Sequence, residues 1–97
     1  MSKYIISQKA QQDLVFIGNY SATHWSTNQA KRYLQMILSE CTELANKPYI
    51  GRSYSEYREG LKGHPCGKHV IFYRTLTNKR IRIVRILHER MDFPRHL

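Results

Sequence analysis

The stretch that decides the fold runs from residue 69 to residue 88 and has the sequence HVIFYRTLTNKRIRIVRILH. Its first part, His69–Thr75, is rich in β-branched and aromatic residues, which predicts a strand. Its last part, Arg80–His88, mixes aliphatic residues with arginines and predicts a second strand. Because only a tight connection at Thr77–Lys79 separates them, the two strands are expected to pair as an antiparallel hairpin.

Both predicted strands carry apolar residues on both faces, which is typical of strands that are central or partly covered on each side. Strict alternation along the second strand predicts the members of each face. One face carries Arg85 with Ile81, Ile83 and Leu87, and the other carries Arg82 with Val84 and Ile86. An arginine among three aliphatic residues is expected to be partly buried and to need a partner.

Two amphipathic helices precede the hairpin. The first is predicted from Gln8 to about Trp25, after a short strand at Lys3–Ser7 whose last residue can cap the helix. The second begins at the capping-box pattern Ser26–Gln29 and ends at Asn46–Pro48. Because one or two residues separate the helices, they are expected to run antiparallel as a helical hairpin.

The segment between the second helix and the strong strands gives weaker signals. We expect a loop at Pro48–Tyr54, a weak strand at Tyr57–Lys62 and a turn at His64–Gly67. The resulting order is β-α-α-β-β-β, an α+β domain over residues 1–97 in which the helical hairpin packs on one face of a small antiparallel sheet.

Composition limits the function classes. The chain has 97 residues and a formal net charge of +9, and residues 52–97 carry eleven basic and four acidic side chains, a net of +7. No carboxylate occurs from Lys62 to His88. Such a surface attracts polyanions, whether nucleic acid, an acidic protein segment or anionic lipid. The longest wholly apolar run is four residues, Leu14–Ile17, which argues against a membrane protein.

The remaining composition predicts a cytoplasmic protein without a metal or cofactor. Its two cysteines, Cys41 and Cys66, do not make a disulfide scaffold, and the N-terminus lacks the apolar region of a signal peptide. His64, Cys66 and His69 could ligate a metal, but a closed zinc site needs a fourth ligand.

Catalytic motifs are absent from the sequence: it has no glycine-rich phosphate loop, no zinc-protease motif and no nucleophile elbow. An RNA-cleaving site could be assembled from His88, Arg74 and Arg85 if these side chains converge. A single histidine at the end of a strand is more often a hydrogen-bonded structural residue.

An ordered series of residues over almost the whole chain resembles the ParE toxins of the RelE/ParE superfamily. The series comprises Ala10, Asp13-Leu14, Ile17 and Tyr20; Trp25, Gln29-Ala30 and Tyr33; Leu44-Ala45, Pro48 and Gly51-Arg52; Glu59-Gly60-Leu61 and Gly67; His69–Arg74; and Arg85–Asp92. The last two stretches are the most specific.

This resemblance implies the fold derived above and a protein that inhibits DNA gyrase without being an enzyme. It also implies a ParD-like antitoxin, usually with an acidic tail, that forms a hetero-oligomer with the toxin and contacts operator DNA on its behalf. The alternative on the same fold is a ribosome-dependent mRNA endonuclease. That branch of the superfamily usually has a C-terminal tyrosine, which is lacking in Glu89–Leu97. An inactive relic and a simple nucleic-acid binder are further alternatives.

The candidate site residues follow from chemistry and position. For the toxic surface we expect Arg74, Arg85, His88, Arg90 and Met91, since arginine next to an apolar residue is enriched at interfaces. Of the nearby carboxylates Glu89 and Asp92, one is expected to hold Arg85 or Arg90 in place, with Asp92 preferred. For the antitoxin we expect Phe16 and Tyr20 on the first helix and an exposed sheet edge.

Overall fold

Residues 4–97, the range that the computed structural model describes, contain one five-stranded sheet and two long helices. In chain order the elements are β1 (Tyr4–Ile6), α1 (Gln8–His24), α2 (Thr27–Asn46), a 3-10 turn (Pro48–Ile50), β2 (Arg52–Ser53), β3 (Lys62–Cys66), β4 (His69–Thr75), β5 (Ile81–His88) and α3 (Phe93–His96). The strand order across the sheet is β1-β5-β4-β3-β2. All neighbours are antiparallel except β1, which runs parallel to β5.

The α+β prediction and both helices are confirmed. The Ser7 hydroxyl accepts the backbone N–H of Ala10 at 3.0 Å, and the Ser26 hydroxyl accepts that of Gln29 at 3.0 Å. Each cap therefore satisfies one of the backbone donors that a helix N-terminus leaves without an intrahelical partner. The predicted first strand is also present as β1, although Lys3 lies outside the described residues.

The main core lies between the helical hairpin and one face of the sheet. Its centre is formed by fully buried side chains of α2, β4 and β5, which are Ile37, Cys41, Leu44, Ile71, Tyr73, Ile81 and Ile83. The Tyr73 hydroxyl donates to the carbonyl of Pro48 at 2.8 Å and accepts the N–H of Gly51 at 2.9 Å. Tyr73 thereby ties the segment after α2 to the centre of the sheet.

A second, smaller core covers the opposite face, as the apolar residues on both faces of the strands predict. It consists of Leu61, Val70, Phe72, Val84 and Leu87. Tyr54 packs on it from the segment before β3, and Phe93 and Leu97 pack on it from the C-terminal segment. The short helix α3, which the sequence analysis did not predict, positions these last two side chains.

Two predictions between α2 and β4 are wrong. Residues Tyr57–Lys62 do not form a strand, and His64–Gly67 is not a turn, because β3 occupies Lys62–Cys66 and the chain reverses at Gly67 and Lys68. Proline is tolerated in β3 because β2 pairs only with Lys62 and Gly63. Pro65 therefore lies on a free edge, where its missing N–H costs no sheet hydrogen bond. The expected loop at Pro48–Tyr54 contains the 3-10 turn and β2.

Strict alternation along β5 is also wrong, because the strand contains a bulge. Phe72 of β4 lies opposite Arg85, whereas the next residue, Tyr73, lies opposite Ile83, so that Val84 is the extra residue. After the bulge the faces are exchanged. Ile86 joins Ile81 and Ile83 in the core beneath the helices, and Leu87 joins Val84 in the second core.

Candidate protein-binding groove

A groove of about 770 Å³ lies between α1 and the segment in which β5 ends. Phe16 and Tyr20 line one side of it, and His88, Arg90 and Met91 line the other. The structure therefore brings together the residues predicted for the antitoxin and most of those predicted for the toxic surface. The two sets were expected to be separate surfaces, and they share one groove.

The α1 side of the groove is an exposed row of aromatic rings. Phe16 is 65% and Tyr20 is 50% exposed, and their ring centres are 6.4 Å apart. Tyr20 stacks in turn on the His24 ring at 3.9 Å, and Trp25, at the end of α1, is 63% exposed. Large exposed aromatic side chains that adjoin a groove are typical of a protein-interaction site.

An ion pair between Arg85 and Asp13 forms the base of the groove. The guanidinium donates from Nε to Asp13 Oδ2 and from Nη2 to Oδ1, each at 2.9 Å, and from Nη1 to the carbonyl of His96 at 2.8 Å. Asp13 Oδ2 also accepts the N–H of Ile86 at 2.9 Å. The hydrogen bonds to Asp13 raise the pKa of Arg85. Both side chains are mostly buried, so this guanidinium is occupied within the protein.

Asp13 rather than Asp92 or Glu89 is thus the carboxylate that holds Arg85, and the preference for Asp92 is wrong for this arginine. Asp92 lies 3.7 Å from Arg95 in an exposed pair. The sequence analysis missed Asp13 because it lies 72 positions before Arg85. One signal could have indicated Asp13: it is the one carboxylate of α1 and lies near the apolar stripe of that helix.

Three ring-bearing side chains that line the groove, Tyr33, His69 and His88, form a cluster. The Tyr33 hydroxyl accepts the N–H of Lys68 at 2.9 Å, so its own proton is free for His69 Nδ1 at 2.6 Å. His69 packs edge-on against His88, its neighbour on β5, with ring centres 5.3 Å apart. Burial, with a contribution from His88, lowers the pKa of His69 to about 4. The His69 ring is therefore neutral at pH 7.

The segment after β5 is held in a tight turn by hydrogen bonds that its backbone N–H groups donate. Glu89 donates its N–H to the Lys68 carbonyl at 2.9 Å, Arg90 donates to His88 Nδ1 at 3.1 Å, and Met91 donates to the His88 carbonyl at 3.0 Å. The side chains of Glu89 and Arg90 are exposed, and that of Met91 is 39% exposed. The fixed backbone presents these side chains at the rim of the groove.

Arg74 does not join this cluster. It lies opposite Arg82 near the far end of the β4–β5 hairpin, five residues along β4 from His69. At about 3.3 Å per residue, that separation is roughly 16 Å along the strand. The condition for the proposed RNA-cleaving site, that His88, Arg74 and Arg85 converge, is therefore not met.

The potential metal ligands near β3 have other partners. His64 Nε2 lies 3.1 Å from Glu40 Oε1, and His69 is bound by Tyr33. Cys41 and Cys66 are free thiols buried in the main core, and burial raises the pKa of Cys41 to about 12. Within residues 4–97, no three histidine, cysteine or acidic side chains are grouped closely enough to hold a metal ion. The same range contains no helix that is long and apolar enough to cross a bilayer.

Comparisons with known proteins agree with this architecture. Residues 4–93 match the family model described as the ParE toxin of type II toxin–antitoxin system, parDE. Toxin ParE1 of Mycobacterium tuberculosis is 36% identical over 96 residues, covering 99% of this chain and 98% of that protein. Toxin ParE1 of Caulobacter vibrioides is 33% identical over 97 residues, covering 100% and 99%.

A solved structure supports the fold independently of close sequence similarity. A chain from the chromosomal ParDE toxin–antitoxin system of P. aeruginosa superimposes with a TM-score of 0.75, covering 88% of this chain and 92% of that chain. The two chains are 20% identical. The α+β arrangement of a helical hairpin on a small sheet is therefore shared with a protein of that system.

Proposed function

We propose, from the fact that this chain belongs to the ParE toxin family of type II toxin–antitoxin systems, that it inhibits DNA gyrase and is neutralised by a ParD-like antitoxin. The observation that carries the proposal is the groove, in which the exposed aromatic residues of α1 face the fixed segment His88–Met91. This arrangement suits the binding of one protein segment by another.

The chemistry of the groove suits an acidic, amphipathic segment of the antitoxin. Phe16 and Tyr20 provide apolar contact area on α1, and Lys68 and Arg90 are exposed cations on the other side. A partner with apolar side chains on one face and carboxylates beside them complements both. Its binding would cover Arg90 and Met91, so the antitoxin and the target would compete for the same residues.

Arg90 and Met91 are the side chains that we propose for contact with gyrase, with His88 supporting the turn that presents them. Arg85 has a different role in this proposal. Its guanidinium is engaged by Asp13 and His96, so it fixes the groove instead of contacting the target. Operator DNA is expected to be recognised by the antitoxin of the complex, and an inhibitor of gyrase acts in the cytoplasm.

We further propose that the protein is an inhibitor and not a nuclease. RNA cleavage by general acid–base chemistry needs an acid, a base and free cations around one phosphate. Here Arg85 is neutralised by a carboxylate, Arg74 lies at the far end of the hairpin, and both Tyr33 and His69 are engaged with each other. The endonuclease alternative predicts ribosome-dependent mRNA cleavage that the change His88→Ala abolishes.

The test is a gyrase supercoiling assay on relaxed plasmid with ATP. The wild-type protein should inhibit supercoiling and trap DNA breaks, and antitoxin should relieve both effects. The double change Arg90→Ala and Met91→Ala should reduce inhibition at least tenfold, about 1.4 kcal/mol of binding free energy. Arg95→Ala is the matched control, because Arg95 is an exposed arginine of the same segment outside the groove. Folded wild-type protein without any effect on gyrase would contradict the proposal.

A further inference from the structure

The far end of the β4–β5 hairpin carries a concentrated set of cations that the groove does not use. Arg74, Lys79, Arg80 and Arg82 lie within nine consecutive positions, and no carboxylate occurs between Glu59 and Glu89. Arg74, Lys79 and Arg82 are exposed. Residues 74–82 form this end of the hairpin, the hairpin tip.

Arg74 and Arg82 are directly opposite each other on neighbouring strands. Their neighbours along the strands, Tyr73, Ile81 and Ile83, point into the core beneath the helices, so both arginines point to the opposite face of the sheet. Opposed residues on an antiparallel pair have Cβ atoms about 5 Å apart, and like charges at that distance destabilise the pair. The pairing is thus unfavourable for the fold when no anion is present.

Neither arginine has a partner within the described residues. The five ion pairs found in residues 4–97 involve other cations, and neither the Arg74 nor the Arg82 side chain donates a hydrogen bond there. Arg85 on the same strand shows the contrast, because it is fully engaged by Asp13. Arg74 and Arg82 are thus two guanidinium groups without a partner at opposed positions on one face of the sheet. Phosphate matches the geometry of the arginine fork, so each can contact an oxyanion.

The turn of the hairpin adds groups of the same chemistry. Lys79 adopts a left-handed backbone conformation with φ of 63°, a position at which glycine or asparagine is usually preferred. Thr75, Thr77 and Asn78 are exposed beside it. Arginine, lysine, threonine and asparagine are the side chains that contact phosphate and sugar in DNA complexes, whereas protein interfaces favour aromatic and other apolar anchors, of which the tip exposes none.

We propose that the hairpin tip binds the phosphate backbone of duplex DNA without sequence preference, with Arg74 and Arg82 as the principal contacts. The site lies at the opposite end of the hairpin from the groove. A toxin bound through Arg90 and Met91 can therefore hold DNA at the same time. The proposal stands without gyrase, because it concerns the contact of this chain with DNA alone.

The test measures the anisotropy of a fluorescent DNA duplex of about 20 bp between about 50 and 200 mM salt. The double variant Arg74→Gln and Arg82→Gln is compared with Lys9→Gln and Arg32→Gln, which removes the same charge from exposed positions on α1 and α2. The hairpin variant should bind at least tenfold more weakly. The slope of log K against log salt should also fall in magnitude by about two, because two phosphate contacts are lost. The helix variant should change affinity less than threefold.

Three results would overturn the proposal. The wild-type protein could fail to bind duplex at the lowest salt, or both double variants could lose affinity equally, which would reveal attraction by net charge alone. Alternatively, poly-glutamate could displace the duplex at equal charge concentration and bind the hairpin tip more tightly, which would make the tip a site for acidic protein.

Two further measurements separate this proposal from folding defects and from the gyrase proposal. Urea denaturation should show the hairpin variant to be at least as stable as the wild type, because a like-charge contact is removed. Gyrase inhibition is scored on the same proteins, so that DNA binding without inhibition, or inhibition without DNA binding, identifies which of the two proposals has failed.

Discussion

Arg85 and Asp13, which lie 72 positions apart, are joined by two parallel hydrogen bonds of 2.9 Å. Because Asp13 also accepts the N–H of Ile86 and Arg85 also donates to the carbonyl of His96, this pair connects α1, β5 and the C-terminal segment. Asp13 therefore links the two sides of the groove, in addition to the packing of Ala10 and Ile17 against β5.

We expect Asp13→Asn to destabilise the protein by about 2–3 kcal/mol, because it leaves a mostly buried guanidinium without its counter-charge. Urea denaturation measures this change in the free energy of unfolding. Glu43→Gln is the control, since it removes the carboxylate of an exposed helical pair with Lys47 and should have no measurable effect. Equal free energies of unfolding for the two variants would show that the ion pair of Arg85 with Asp13 does not stabilise the arrangement around the groove.

Removal of the aromatic rings of α1 should weaken antitoxin binding and leave the fold intact. We expect the change Phe16→Ala with Tyr20→Ala to cost about 2–4 kcal/mol of binding free energy, as for aromatic anchors in other interfaces. Its effect on unfolding should stay within about 0.5 kcal/mol, because both rings are at least half exposed. Calorimetric titration with the antitoxin provides the measurement.

The control for that experiment is Val15→Ala, since Val15 is 63% exposed on the same helix but does not line the groove. Antitoxin affinity should be unchanged in this variant. If Val15→Ala weakened binding as much as the aromatic pair, the antitoxin would contact the outer face of α1 and not the groove.

The protein should lose stability as the pH falls from about 6.5, the pKa of an unfolded histidine, to about 4, the pKa of His69 in the folded protein. Its pKa is lowered to about 4, so between pH about 6.5 and 4 the unfolded chain binds a proton that the folded protein does not. All of this stability is present above the unfolded pKa. We expect a loss of about 1–2 kcal/mol on acidification, less than the full linkage value because the ring is partly exposed.

Denaturation at several pH values tests this expectation, with His69 followed by NMR. The change His69→Gln should flatten the pH dependence, whereas His24→Gln, on the exposed side of α1, should leave it unchanged. A His69 ring that titrates near pH 6.5 in the folded protein would contradict the lowered pKa and the pH dependence expected from it.

Gly51 and Tyr73 should behave as a coupled pair. A Cβ atom at Gly51 would overlap the Tyr73 hydroxyl, so Gly51→Ala should destabilise the protein by about 2–3 kcal/mol. Tyr73→Phe removes the obstructing oxygen and also two hydrogen bonds. A double-mutant cycle on unfolding free energies should therefore show the alanine to be less costly in the phenylalanine background. If the effects of the two changes on the free energy of unfolding were additive, the segment after α2 would be able to move away from Tyr73 without cost.

Local patterns were sufficient to predict the helices and the strong strands. The hydroxyl caps at Ser7 and Ser26 and the β-branched run His69–Thr75 act within a few residues, so the sequence contains the whole signal. Pro65 misled the prediction of β3, because a proline indicates a turn unless the adjacent strand is known to leave it on a free edge.

The site was harder to predict because its contacts are long-range. The bulge at Val84 exchanges the faces of β5, and a strand with aliphatic residues on both faces gives no local sign of it. The Asp13–Arg85 pair joins distant parts of the chain, and charge alone offered Glu89 and Asp92 as nearer candidates. The exposure of Phe16 and Tyr20 was predictable because they lie outside the apolar stripe of their own helix, which is a local property.

The parallel pairing of β1 with β5 also constrains when the toxin can become active during its synthesis. β1 begins at Tyr4 and is translated before its partner strand, which begins at residue 81. At about 5–20 residues per second, β1 waits roughly 4–15 s for that partner. The groove, which needs the same strand, cannot form earlier. A nascent chain in which β5 is not yet translated therefore has no complete groove, so the surface proposed for the antitoxin and for the target forms only late in synthesis.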